Sequence, residues 1–164
     1  MFRRFVTEPG LIGLDWSGFR DPKAVDRRFD TDSYLGDDNG RLIVDVAAEA
    51  GLDFEPAGLV SYLKRHHGSQ AYGWEIGIAL LPEWRGQGIG WRAQAMFCSY
   101  LFETTPAQRI EASTHAENVA EQRSLEKAGF TLEGVMRATE YRGGQWRDGY
   151  LYSRIRTDPD PLTD

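Results

Sequence analysis

A single cysteine, Cys98, is all the thiol chemistry this chain carries. One thiol cannot close a disulfide within the chain or build a cysteine-rich metal site, and Cys98 falls inside a helical pattern, which fits a reducing cytoplasm. Long apolar runs are missing as well. None approaches membrane-spanning length, and Met1 to Val6 is followed at once by Thr7-Glu8-Pro9-Gly10, too short for the apolar region of a signal sequence. The expectation is a soluble, unexported protein. Basic residues are in deficit: the formal net charge of −6 repels a polyanion, which argues against nucleic acid and welcomes a cationic amine. His66-His67 lacks the i, i+4 or clustered spacing of a metal site, so no metal is expected. Two familiar phosphate motifs are also absent. Gly90-Trp91-Arg92 stands where a nucleoside-triphosphate loop needs Gly-Lys-Ser/Thr, and the glycine spacing is not the G-x-G-x-x-G of a dinucleotide site, which excludes ATP and hydride-transfer readings.

The chain has 164 residues, 41% of them hydrophobic and 12% aromatic, enough for one domain with a real core. That domain is expected over residues 1–156. The remaining 157–164, with two prolines and three aspartates, reads as a mobile tail. Asp21-Pro22 reads as an N-cap and first position of a helix whose apolar stripe Ala24, Val25 and Phe29 runs to about Asp30. Leu11 to Trp16 reads as another short helix. Leu42 to Ala47 and Gly58 to Lys64 read as antiparallel strands, and Tyr72 to Leu81 as a strand buried on both faces. Ile89, Ala93, Met96, Phe97, Tyr100 and Leu101 recur at helical spacing until Thr104-Thr105-Pro106. Arg109 to Thr114 alternates as a strand with Ile110, Ala112 and Thr114 on one side. Asn118 then opens a helix ending at Gly129, and Phe130 to Arg142, Gly143-Gly144 and Gln145 to Ile155 form a closing hairpin.

The segment Leu80-Leu81-Pro82-Glu83-Trp84-Arg85-Gly86-Gln87-Gly88-Ile89-Gly90 turns an apolar strand into a helix through a glycine-rich loop. Glycines at 86, 88 and 90 remove the side chains that would hold an oxyanion away from the backbone. Consecutive N–H groups then point inward where the helix begins with its partial positive charge, as a diphosphate site requires.

Arg85-x-x-Gly88-x-Gly90 after such a strand resembles motif A of the GNAT superfamily, which cradles the diphosphate of acetyl-CoA. Asn118-x-Ala120, Leu125-Glu126-Lys127-Ala128-Gly129-Phe130 and Thr131-Leu132-Glu133-Gly134 follow at the family's distance. Tyr141-x-x-Gly144, Trp146-Arg147-Asp148 and Tyr152 resemble the ending of its ribosomal-protein N-terminal acetyltransferase (Rim-type) branch. The resemblance runs from Leu42 to Ile155 and is strongest after Trp74. It implies an α/β (α+β) fold, with a mixed, mainly antiparallel sheet flanked by helices. It further implies acetyl-CoA as co-substrate, an amine acceptor and a homodimer. The implied cofactor-binding residues are Ala79, Leu80, Leu81, Arg85, Gly86, Gln87, Gly88, Ile89, Gly90 and Asn118. The family opens with a strand and a longer first helix. Only Met1 to Val6 stands in that strand's place, so the chain reads as one strand short.

Acetyl transfer from a thioester to an amine needs a neutral nucleophile and a thioester held still. A thiol's pKa is about 8.5, so the leaving thiolate needs little acid assistance, whereas ammonium acceptors at about 8 to 10 must lose a proton. By the family's pattern Glu75, on the strand leading into the loop, is the expected base; its alternative role is to orient loops by hydrogen bonding. Glu111 and Glu117 stand behind it. Asn118 resembles the asparagine that meets the pantetheine arm, and equally suits a plain N-cap. Leu125 occupies the position of the family's tyrosine acid and Glu121 that of the Rim-type serine. Ser124 is therefore carried as the catalytic candidate on this helix, with His115 beside it. Trp16 and Trp146 lie in segments that line the acceptor site of the resembled branch, and Asp148 reads as structural, with binding of the acceptor amine as its alternative role. The competing reading, motivated by the missing tyrosine and the short start, is a non-catalytic acyl-CoA-binding or protein-interaction module.

Overall fold

The computed structural model describes residues 2–13, 18, 20–47 and 53–163. Three helices come first: α1 Phe2–Thr7, α2 Pro9–Ile12 and α3 Pro22–Asp32. They are followed by β1 Asn39–Ala47, β2 Phe54–His66, β3 Tyr72–Leu80, α4 Ile89–Thr104, β4 Arg109–His115, α5 Val119–Lys127, β5 Thr131–Arg142 and β6 Gln145–Ile155. The strands form a six-stranded sheet in the order β1-β2-β3-β4-β6-β5, antiparallel throughout except for the β3/β4 pair. That parallel pair is joined through α4, the crossover that parallel strands require.

Local chemistry sets most boundaries. Asp21 Oδ1 accepts from the Lys23 N–H at 2.9 Å, with Pro22 at the first helical position, so α3 starts as its sequence demands. Asn118 Oδ1 accepts from the Glu121 N–H at 3.3 Å at the start of α5. At its end Phe130 N–H donates to the Leu125 carbonyl and Gly129 N–H to the Glu126 carbonyl, at 3.0 and 3.1 Å, with Gly129 at φ +85°. This is a Schellman stop, and the positive φ explains the glycine. Gly143 and Gly144, at φ +58° and +78°, make the two-residue turn between β5 and β6.

The main core lies between the sheet and α4/α5. Ile110, Leu125, Cys98 and Ala95 are each 0% exposed there, and Tyr152 1%. Burial pushes the Cys98 thiol up to about 12, so it is held as an uncharged apolar filler. On the opposite face Phe5, Leu11, Leu59 and Leu81 form a smaller cluster under the N-terminal helices. Leu125→Ala should therefore cost about 2–5 kcal/mol through lost burial and the cavity left behind. Thermal denaturation should register this as a Tm lower by about 5–15 °C.

The sequence reads as one strand short at its start, and Phe2–Thr7, in that strand's place, is helical: Arg4 pairs with Glu8 one turn on at 2.9 Å, and Phe5 is buried with Leu11 rather than laddered onto the open edge of β1. Other sequence expectations need correction. The Leu11 to Trp16 helix instead begins at Pro9 and ends at Ile12, where Gly13 takes φ +53°; Leu14 to Ser17 lie outside the described residues. The end of β3 was expected to be buried on both faces, yet Ile78, Ala79 and Leu80 are only partly buried, because β4 leaves their side. Beyond β6, residues 157–163, read from the sequence as a mobile tail, carry their own contacts. Asp160 accepts from Ser99 Oγ at 2.9 Å, and Asp158 accepts from the Ile155 N–H at 2.9 Å.

Candidate active site

β3 and β4 share only two register pairs, Trp74 with Ile110 and Glu75 with Glu111. From Ile76 onward β3 remains paired with β2 but not with β4, so its other edge offers unladdered backbone groups to whatever fills the gap. A cavity of about 460 Å³ occupies the outer part of this gap, walled by Ile78, Ala79 and Leu80, the 85–90 loop and the first turns of α5. A second, of about 360 Å³, takes Glu75, Ile76 and Gly77 with Ser113 of β4, and extends across Ser61 of β2 to Arg41 of β1. Ile76 and Gly77 in one wall are followed directly by Ile78 in the other, so the two cavities succeed each other along one strand edge.

The loop is built as its glycines predict, with one difference. Gly86 and Gly88 take φ of +73° and +78°, a region costly for any residue with a Cβ. α4 starts at Gly88 with no side-chain cap. Helix geometry leaves its first N–H groups without intrahelical acceptors, and among the described residues no loop carbonyl takes those of Gly86 to Gly90. Gly90 is needed for space: a Cβ there would stand 3.2 Å from Ser124 Oγ and 3.7 Å from Leu80 Cδ1. Arg85 behaves differently from the other loop residues. Its own N–H donates to the Pro82 carbonyl at 3.2 Å, and its guanidinium donates to the Leu80 carbonyl at 2.9 Å and to the Leu11 carbonyl. The available amides therefore begin at Gly86, while Arg85 ties the loop to β3 and α2 and still lines the cavity.

Of the sequence-predicted cofactor residues, Ala79, Leu80, Arg85, Gly86, Gly88, Gly90 and Asn118 line this cavity. Leu81, Gln87 and Ile89 are not on its wall. Leu81 is buried in the smaller core cluster, and Gln87 braces the loop by donating to the Glu83 carbonyl at 2.7 Å. Trp91, Arg123 and Lys127 line it without having been singled out; the one-turn spacing of Arg123 and Lys127 on a helix opening at Asn118 was the available signal. Ser124 also reaches it, but its hydroxyl donates to the buried Gln94 at 2.8 Å, and Gln94 donates in turn to Glu121 at 2.5 Å. Leu125, at the tyrosine position, is fully buried in the core.

Glu75 stands at the fork of β3 and β4, its side chain a quarter exposed, ion-paired with Arg65 and 3.5 Å from Ser113 Oγ. The alternative bases are occupied elsewhere. Glu111 is held by Arg109 at 2.5 Å and His67 at 3.4 Å, and Glu117 pairs at the surface with Arg147 at 2.7 Å. Arg109 also grips Glu133; that bond, with help from Ser153, holds the Glu133 carboxyl down at about 2. His115 is buried against Glu140 at 2.5 Å. Asp148 accepts from the Ala138 N–H at 2.8 Å and fixes the bulge of β5, where Ala138 sits at φ +49°. Trp146 is exposed against Tyr141 at the hairpin end and lines neither cavity; Trp16 lies outside the described residues. Among the described residues no cluster of metal-ligating side chains forms and no helix is long and apolar enough to cross a membrane.

The same architecture recurs in solved structures. Spermidine N-acetyltransferase from Vibrio cholerae in complex with CoA and spermine superposes with a TM-score of 0.77 at 15% identity, over 98% of this chain and 90% of that one. RimL, a ribosomal L7/L12 alpha-N-protein acetyltransferase in complex with coenzyme A, does so with a TM-score of 0.72 at 21% identity, over 94% and 86%. A probable N-acetyltransferase of Bacillus subtilis, YjcK, is 33% identical over 85 residues, 52% of this chain and 47% of that protein. The chain spans about half the length of this and other curated relatives it matches. A family model described as an acetyltransferase (GNAT) domain matches residues 4–131, reaching well upstream of Leu42, where the sequence resemblance began. The chain belongs to the GNAT acetyltransferase family.

Proposed function

We propose that this chain is an acetyl-CoA-dependent N-acetyltransferase, moving an acetyl group from the thioester to a primary amine by direct attack. The observation that carries this reading is the uncapped N-terminus of α4 opening on a cavity that continues along the unladdered edge of β3. The amides of Gly86 to Gly90 and the helix dipole suit a diphosphate, with Arg123 and Lys127 nearby to balance its charge. The free edge from Ile78 to Leu80 suits the two amides of a pantetheine arm, paired in strand fashion, with Asn118 facing them from α5. When bound, acetyl-CoA supplies the activated acyl carbon and a thiolate leaving group of pKa about 8.5.

The residues of this chain supply the rest. The second cavity delivers the amine to the edge of β3 between Gly77 and Ile78, and Glu75, at the mouth of the fork, takes its proton directly or through water. Ser124, its proton committed to Gln94, acts in this reading by holding α5 against α4 rather than as an acid. The acceptor class includes a protein N-terminal α-amine or a small amine; the relatives named above act on spermidine and on a ribosomal protein. A cytoplasmic location, suited to the unpartnered buried thiol, and a homodimer belong to the same reading.

One observation favours a second reading. With Leu125 in the core at the tyrosine position, Glu121 at the serine position and Ser124 engaged, α5 lacks the hydroxyl acids of the resembled family, as in a module that binds acyl-CoA without turning it over. Isothermal titration with acetyl-CoA followed by a thiol-release assay over peptides, amino acids and polyamines separates the two. Saturable heat, competed by CoA, together with thiol release is the expected result. Heat without release for any acceptor supports the binding module, and no heat at all removes both.

A further inference from the structure

The acceptor cavity contains a charge that acetyl transfer to a simple amine does not need. Arg41, on β1, projects onto the face of the sheet opposite α4, as its strand neighbours Leu42 and Val44 pack into the main core. It is half-buried in the cavity wall. Among the described residues its side chain forms no ion pair and no hydrogen bond; the guanidinium carbon lies 5.2 Å from the centre of the Tyr34 ring. The other charges of this wall are already matched. Arg28 is held by Asp32 at 2.6 Å and by Asn39 at 2.9 Å, and Glu75 by Arg65.

The local field makes the unmatched guanidinium more notable. Burial lowers the pKa of Arg41; Tyr34 opposes this in part, while Arg20 and Arg28 push in the same direction as burial, against its charge. In a chain of net charge −6, two arginines, Arg28 and Arg41, thus converge on Tyr34 beside one cavity, with Arg20 close enough to act on Arg41. A half-buried cation in such a place is costly unless an anion meets it. The floor between Arg41 and Glu75 is small and polar. Arg41 registers with Ser61, and Ser61 with Gly77, where a Cβ would stand only 3.0 Å from Ser61 Oγ. Two strand spacings and two residues separate the Arg41 and Glu75 backbones, about 12 Å, which their side chains shorten to the length of a small molecule.

The geometry points to an acceptor that carries a carboxylate within a few atoms of its reacting amine: Glu75 and the fork receive the amine, and Arg41 receives the acid across the Ser61–Gly77 floor. Such chemistry comes from a free amino acid or from a protein N-terminus with an acidic residue close behind. A polyamine, cationic along its whole length, would set its remote ammonium against Arg41. This inference rests on the acetyl-transfer reading and narrows its acceptor.

The test compares acids with their own amides. Binding of glycine, β-alanine and glutamate, and of each amide, to the CoA-loaded protein is measured by calorimetry. Thiol release is then followed with the same pairs, with an Ala-Glu-led peptide against its Ala-Gln counterpart, and with spermidine. At least one acid is expected to bind and react ten or more times better than its amide. Preference confined to the peptide pair assigns the protein source, and preference among the amino acids the free one. Arg41→Gln should bring that ratio close to one, and Arg41→Lys should keep most of it. Equal binding of acids and amides, preference for spermidine, or a ratio untouched in Arg41→Gln overturns the inference while leaving acetyl transfer standing. Failure of CoA itself to bind is seen separately, in the loading titration, and brings down the parent reading.

Discussion

Gly90→Val should abolish coenzyme binding while leaving a folded protein. A Cβ at this position already meets Ser124 Oγ at 3.2 Å, Leu80 Cδ1 at 3.7 Å and Ile78 Cδ1 at 4.0 Å, and all three residues are walls of the 460 Å³ cavity. Two further methyl groups would occupy the seat proposed for the diphosphate and press α5 away from α4. Losing two charge-assisted hydrogen bonds at about 1.5–3 kcal/mol each lowers affinity by roughly 100-fold or more. The stability cost of overpacking is smaller, about 1–3 kcal/mol, because Gly90 has ordinary helical backbone angles and lies at the rim of the core. Calorimetry with CoA and a thermal melt read the two effects separately. Gly86→Ala is the instructive contrast: nothing lies within 4 Å of its Cβ, so any loss there comes from φ +73° alone and should be much milder. Equal affinity in Gly90→Val and wild type would remove the diphosphate from this loop.

What could be read in advance had local causes. The 85–90 loop, the Asp21 and Asn118 caps, the Gly129 stop and the Gly143-Gly144 turn each rest on backbone preferences within a few residues, and all appear where the sequence placed them. The strand period likewise fixed which face of β4 enters the core, with Ile110, Ala112 and Thr114 buried; the apolar stripe of α4 did so only in part, because Met96 and Tyr100 are exposed while Gln94, Ala95, Cys98 and Phe102 are buried beside Phe97 and Leu101. The remainder depended on distant partners. Arg85 looked like part of the anion cradle, but its donors go to Leu80 and to Leu11, 74 residues away in sequence. Phe2 to Thr7 became a helix because Phe5 found Leu11 and Leu59, a choice no local pattern dictates. The parting of β3 from β4 after Glu75 is a register event between strands, so neither the exposed end of β3 nor the succession of two cavities could be read along the chain. Arg41 was silent in sequence for the same reason. Its meaning comes from Ser61, Gly77 and Glu75 lying beside it on two other strands.

Glu75→Gln should lower kcat by about 100-fold or more at neutral pH, the usual contribution of a positioned base, with coenzyme affinity unchanged. The loss should shrink as pH rises. An ammonium with pKa about 8 to 10 loses its proton to solvent in alkali, and the variant then needs no base. The ion pair with Arg65 demands a control, because glutamine also breaks that pair and so could act by releasing Glu75 from its place. The pair is half exposed on the Arg65 side and worth no more than about 1 kcal/mol to the fold. Arg65→Met removes the pair but keeps the carboxylate. If Glu75 is the proton acceptor, Arg65→Met retains most of the rate and its pH profile, while Glu75→Gln loses both. Matching losses in the two variants, with the same pH profile, would instead make Glu75 a scaffold residue and return the search for a base to Glu111, the next carboxylate along the same register row.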